Sequence, residues 1–209
     1  MFHRLLPIVT LLLCAGSAWS ATNQCPDCGT TPVPYPLSTD PACGHQSYKI
    51  RCDAGAPIFD TVNNSYPIIS IDPSIQRLVI KPAGLLSNTC VTSDMVHQGI
   101  QLNSSLPFNV TSSNTIMYLN CTDALLRSPL DCSSTSLCHA FINGTQNAAP
   151  CGKAPICCSF RTGGSTTSHM IRVRESGCSA YSSFVNLDPS LPVSRWPEPG
   201  LELQWAVPT

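Results

Sequence analysis

The sequence predicts a mainly β fold: disulfide-rich sheets of short strands, with little helix, divided into two small β-rich modules. Three observations lead there. Runs that alternate apolar and polar residues recur at about ten-residue spacing between turn formers, the pattern of an all-β unit. Thirteen cysteines stand in 209 residues, a density that belongs to crosslinked chains of an oxidising compartment. Nineteen prolines interrupt the chain, and no long stretch keeps helical spacing.

Residues 1–20 are set aside first. Arg4 gives a basic start, residues 5–15 an apolar run, and Ala18-Trp19-Ser20 a cleavage site of small residues. This is the pattern of a secretory signal peptide and is too short for a membrane span. A retained signal anchor is the alternative. No later segment stays apolar long enough to cross a bilayer, and no C-terminal tail suggests a lipid anchor. Cys14 leaves with the leader. Cys25, Cys28, Cys43, Cys52, Cys90, Cys121, Cys132, Cys138, Cys151, Cys157, Cys158 and Cys178 remain, an even set that allows up to six disulfides of open connectivity. Cys157 and Cys158 are adjacent and are expected to take different partners, because a vicinal disulfide needs a strained peptide bond.

The mature chain opens with a proline- and cysteine-rich loop over residues 25–46. Its Tyr35-Pro36 and neighbouring steps favour extended backbone, since a residue before proline is pushed from the helical region. Residues 47–52 read as the first strand, with Tyr48, Ile50 and Cys52 on one face and Ser47, Lys49 and Arg51 on the other. Residues 57–62, 66–71 and 76–81 continue a meander, separated by Gly55, Asn63-Asn64-Ser65 and Asp72-Pro73. Residues 85–99 have no clean period and read as loop with a short strand near Val91. Residues 115–121 form a strand, 123–127 one helical turn, and 128–155 a disulfide-held loop. Residues 156–161 and 168–174 flank Thr162-Gly163-Gly164-Ser165 as a hairpin. Residues 181–187 are strand or short helix, a proline-stiffened connector follows, and 201–207 close the chain with Leu201, Leu203 and Trp205 on one face.

Charge is sparse: 11% of residues, formal net charge -1. Nucleic acid binding is excluded as a class, because no basic excess exists to displace counterions. Asn63, Asn103, Asn109, Asn120 and Asn143 each begin an N-x-S/T acceptor sequence, so glycans are expected to aid solubility. Cys25-Pro26-Asp27-Cys28 matches a redox spacing but lies before Pro and Gly and opens no helix, which favours structural disulfides. His45, His97, His139 and His169 are scattered, without metal-ligand spacing, and no acidic run suits calcium. No nucleophile elbow, paired carboxylates or Cys-His arrangement stands out, so no catalytic residue, metal or cofactor is assigned.

The motifs themselves resemble a known family. Cys25-x-x-Cys28-Gly29, Val33-Pro34-Tyr35-Pro36-Leu37-Ser38, Cys43-Gly44 and Tyr48-Lys49-Ile50-Arg51-Cys52 resemble the galacturonan-binding module of plant wall-associated receptor kinases and their kinase-like relatives. Asn120-Cys121, residues 157–161 and residues 200–206 resemble the associated C-terminal module. The resemblance implies a module at residues 21–100 and a second at 101–209. It also implies non-catalytic, extracellular binding of pectic galacturonan in the plant cell wall. Family receptors continue into a membrane span and a kinase. This sequence carries no kinase glycine loop, HRD or DFG motif, so it reads as an ectodomain-only relative or a truncated receptor, and kinase activity is not carried over.

Galacturonan presents one carboxylate per sugar, which calls for spaced cations, with aromatic rings for the apolar sugar faces. Lys49 and Arg51, Arg77 and Lys81, and Arg172 and Arg174 each share one face of an expected strand. If those strands share a sheet face, they make a cation array; outward cations also merely guard sheet edges. Tyr35 is the exposed aromatic candidate. Tyr48 reads as core, and Trp196 and Trp205 as packing residues. The alternatives are an apoplastic protein-interaction module (co-receptor, decoy or inhibitor, with an apoplastic or receptor protein as partner) and a defence protein acting on microbial glycans. Histidines titrating near their ordinary pKa of about 6.5 are expected to strengthen anion binding in an acidic wall.

Overall fold

The computed structural model describes residues 23–122, 130–153, 156–163 and 177–208. Among them, nine strands form two antiparallel sheets, and the helices are short. This is the mainly β, disulfide-rich class that the alternating runs predict.

The first sheet begins as the expected meander. Strands β1 (Arg51–Asp53), β2 (Ala56–Asp60), β3 (Ser65–Asp72) and β4 (Arg77–Ile80) pair in order. Ala54 and Gly55 join β1 to β2 with φ of 48° and 82°, the left-handed pair that a two-residue hairpin loop demands. Gly29 packs against this turn so closely that a Cβ would lie 2.3 Å from the Gly55 carbonyl oxygen. The N-terminal loop is thus seated on the hairpin by a backbone contact only glycine permits.

The sheet is completed by chain from far downstream. Strand β5 (Phe108–Val110) lies at its edge, and the last strand, β9 (Leu201–Trp205), inserts between β4 and β5. Leu78 stands opposite Leu203, and Phe108 opposite Trp205. The alternation puts Phe59, Tyr66, Ile68, Leu78, Ile80, Phe108, Leu201 and Leu203 in one buried layer.

The second sheet has β6 (Asn114–Cys121) between β7 (Cys158–Arg161) and β8 (Cys178–Val185). Its central strand is buried on both faces. Ile116 and Tyr118, with Tyr181 of β8, join the core of the first sheet. Met117 and Leu119, with Ala180 and Phe184 of β8, form a second core with Phe141 and Ile142 of helix α1 (Leu137–Gly144). The molecule is therefore layered: large sheet, small sheet, helix.

Six disulfides pair all twelve described cysteines: Cys25–Cys43, Cys28–Cys52, Cys90–Cys151, Cys121–Cys178, Cys132–Cys158 and Cys138–Cys157. Cys157 and Cys158 lie on opposite faces of the approach to β7 and take different partners. The closed loops run from 18 to 61 residues, for which chain-entropy arguments give about 3 to 4 kcal/mol each.

Several boundaries differ from the sequence expectation. Residues 47–52 are not one strand. The His45 ring nitrogen accepts from the Ser47 N–H and bends Gln46–Tyr48 into a 3-10 turn. Lys49 then bridges Ser38 in parallel, and only from Arg51 does pairing with β2 begin. The alternation survives: Tyr48 and Ile50 are buried and Lys49 is exposed. Residues 128–155 are not all loop. Ser136 caps α1 by accepting from the His139 N–H, the usual device for satisfying free amides at a helix start. β5 has three residues behind Pro107, too few for a period to show. Near Val91 there is only a single bridge, Leu85 to Thr92. The turn at 123–127, the return strand at 168–174 and the leader lie outside the described residues; within them β7 pairs with β6.

With every described cysteine paired, thiol titration of the unreduced protein is expected to find no reactive thiol among these twelve cysteines. Replacing Cys121 and Cys178 together with serine is expected to cost roughly 2–5 kcal/mol in denaturant unfolding. A stoichiometric free thiol, or no loss of stability, contradicts these pairings.

Candidate functional site

Register places the cations. Arg51 stands opposite Ile58, Ile58 opposite Pro67, and the Lys81 N–H donates to the Pro67 carbonyl at 2.8 Å. Paired residues on antiparallel strands point to the same side. Arg51 and Lys81 therefore share the outer face of the large sheet, and Arg77, two residues after another by alternation with Val79 and Lys81, points the same way. Lys49 lies just before β1, exposed, and close enough to Asp60 to help hold its carboxyl ionised. Arg172 and Arg174 lie outside the described residues.

Sharing a face does not leave these charges equally free. Arg51 bonds Asp53 and Asp60, each at 3.0 Å. The hydrogen bonds from Arg51 hold the Asp60 carboxyl below its ordinary value of 3.8, so the pair stays charged in mild acid. Arg77 reaches Glu202 at 2.9 Å, and that carboxylate is largely buried and also accepts from Thr111. Arg77 thus serves the sheet seam. Lys49 and Lys81 belong to none of the three ion pairs among the described residues.

The aromatics divide as clearly. Tyr35, before the cis peptide to Pro36, is 38% exposed. Tyr48 is buried edge-on to Phe108. Trp205 is buried, while Trp196 packs on Phe141 and Phe184 at the edge of the second core. Asn63, Asn103 and Asn143 are exposed. Asn109 is half-buried on β5, and the Asn120 side-chain amide donates to the Ser179 hydroxyl at 2.6 Å.

Lys81 lies where two clefts meet. One, of about 350 Å³, is walled by Ser65, Tyr66, Pro67 and Asp94. The other, of about 470 Å³, is lined by Phe141, Phe184, Trp196 and Pro199, with Glu198 among its polar groups. Asp94 comes from a 3-10 turn, Ser93–His97, in the stretch where sequence shows no period. It is buried, and its Oδ2 accepts from Tyr66 at 2.7 Å and from Tyr181 at 2.5 Å. It therefore ties β3 of one sheet to β8 of the other. Its Oδ1 is buried without a hydrogen-bond partner among the described residues. Sequence reasoning missed this group and both clefts.

These geometries can be set beside known proteins. Residues 24–82 match a family described as wall-associated receptor kinase galacturonan-binding. This segment is a wall-associated receptor kinase galacturonan-binding domain. The chain is 51% identical over 191 residues to Wall-associated receptor kinase-like 20 of Arabidopsis thaliana, covering 88% of this chain and 29% of that relative. It is 46% identical over 208 residues to Wall-associated receptor kinase-like 15 of the same plant, covering 96% and 33%. The chain thus spans a third or less of the length of these curated relatives. No solved structure matches. The resemblance carried by the cysteine and proline motifs holds. Tyr35, Lys49, Arg51, Arg77 and Lys81 all fall inside the galacturonan-binding domain. No helix among the described residues is long and apolar enough to cross a membrane.

Burial, reinforced by the Asp94 charge, pushes the Tyr66 and Tyr181 phenols well above their ordinary value of 10.0, and burial alone does so for Tyr118. The stability linked to these groups is fully present below pH 10 and is lost as pH rises beyond it, because the unfolded chain releases those protons first. Phenolate absorbance in an alkaline titration is therefore expected to appear for these tyrosines together with cooperative unfolding. Reversible ionisation of all five tyrosines near pH 10 with the fold intact contradicts the buried cluster.

Proposed function

We propose that this protein binds pectic galacturonan non-covalently in the plant cell wall, as an extracellular ectodomain or soluble relative of a wall-associated receptor kinase. The observation that carries the proposal is the galacturonan-binding domain at residues 24–82, which holds two exposed lysines engaged in no ion pair among the described residues. The charges fit an anionic polymer rather than a neutral one, because an exposed ammonium gains most from a carboxylate partner. Paired Arg51 and Arg77 contribute less, since a polymer must compete with Asp60 and Glu202 for them. The role is one of holding, with no bond made or broken.

The same proposal covers location and modification. The chain is secreted, and the exposed Asn63, Asn103 and Asn143 carry glycans. Residues 21–100 supply the recognition module and residues 101–209 its companion, with β5 and β9 completing the recognition module's sheet.

The test is binding to immobilised polygalacturonate against its fully methyl-esterified form over a salt series. Preference for the free acid, weakened by salt, is the expected result, since screening shortens the reach of exposed charges. Equal binding to both forms, or salt-insensitive binding, overturns the proposal.

A further inference from the structure

Lys81 follows β4, exposed, and it alone among the candidate cations lines both clefts described above. The two clefts differ in what they accept. On one side the walls are polar, with Asn64, Ser65 and Ser93 among the lining residues. Such side chains can bond sugar hydroxyls. On the other side the walls are aromatic rings and prolines, and besides Lys81 the charged residue lining it is Glu198. Such a wall suits the apolar face of a sugar. The acidic group disfavours a second free carboxylate there but tolerates a neutral ester.

Resting on the galacturonan proposal, we infer that the polymer crosses between the two clefts with one free uronate carboxylate on the Lys81 ammonium, and with a methyl-esterified neighbour seated in the aromatic cleft. The ligand class is then partially methyl-esterified galacturonan, not the fully de-esterified chain that a flat array of cations would prefer. A strip of cations gains affinity with each added free carboxylate. A single ammonium flanked by an acidic, aromatic cleft does not.

Calorimetry with defined oligogalacturonides, free, partially and fully methyl-esterified, separates the two. Wild-type protein is expected to bind the partially esterified oligomer at least as tightly as the free one, and the fully esterified one weakly. Lys81→Gln is expected to weaken binding about tenfold, as loss of a charge partner does, and by more than Lys49→Gln does. Gly84 lines the aromatic cleft, and a Cβ there meets nothing within 4 Å. Gly84→Trp adds a ring at the lining of this cleft from a position where a side chain can start freely, and is expected to lower affinity for the partially esterified oligomer. Glu198→Gln is expected to raise affinity for the free one. If wild-type protein binds oligomers but Lys81→Gln and Gly84→Trp leave affinity unchanged, the Lys81 site is wrong while the galacturonan proposal stands. Affinity rising steadily with free carboxylates in every variant has the same meaning. If wild-type protein binds none of the three, both fall.

Discussion

The pairing of β9 with β4 is the interaction on which the rest of the structure depends. Four short strands in a meander bury one face but leave an edge, and such an edge invites other chains. The last strand closes it. Arg77, Leu78, Val79 and Ile80 stand opposite Gln204, Leu203, Glu202 and Leu201. The seam is further fixed by polar groups that strand pairing alone does not supply. The buried Asn114 side chain accepts from the Glu202 N–H at 2.7 Å and donates to its carbonyl at 2.9 Å, copying a ladder step. The Glu202 carboxylate takes Arg77 and Thr111. Truncating any one partner leaves a buried charge or amide unsatisfied, and that costs more than the bond contributes.

Once β9 is seated, the small sheet follows. Gly200 hands its N–H to the Ser183 carbonyl of β8, and Asp94 links Tyr66 to Tyr181 across the sheets. The clefts around Lys81 are a consequence of this assembly, since their walls come from β3, β8, α1 and the connector before β9. The crosslinks act at a different level. Cys25–Cys43 and Cys28–Cys52 hold the N-terminal loop to β1, and the other four brace the loops and strands around the second sheet. With 11% charged residues and little helix, the chain leans on them to limit its unfolded states.

Much of this was legible in the residues. Short runs between turn formers gave β3, β4 and β9, and alternation gave the shared face of Leu201, Leu203 and Trp205, because a half-buried strand leaves a period of two. The cysteine and proline motifs gave the family. What failed to show has physical causes. Helix α1 is short, and its stripe of Leu137, Cys138, Phe141 and Ile142 is hidden among Ser, Asn and Gly. Strand β5 is too brief to have a period, and its existence depends on β9. The cations were readable as sharing a face, but their freedom was not. Arg51 with Asp60 is nine residues apart, and Arg77 with Glu202 is 125 apart; sequence spacing cannot announce either pair. Asp94 is a tertiary fact altogether, placed by a turn in a stretch without pattern.

Within the segment that matches the family, exposed Lys49 and Lys81 differ from Arg51 and Arg77, which hold carboxylates of their own. If β9 is the lock, the walls beside Lys81 loosen when the seam opens. Amide hydrogen exchange on the native, oxidised chain tests this most directly. The account predicts that the amides of Leu78–Ile80 and Leu201–Leu203 are protected alike and open in one cooperative event with β3. Exchange of β9 orders of magnitude faster than β4, with the meander still protected, would contradict it.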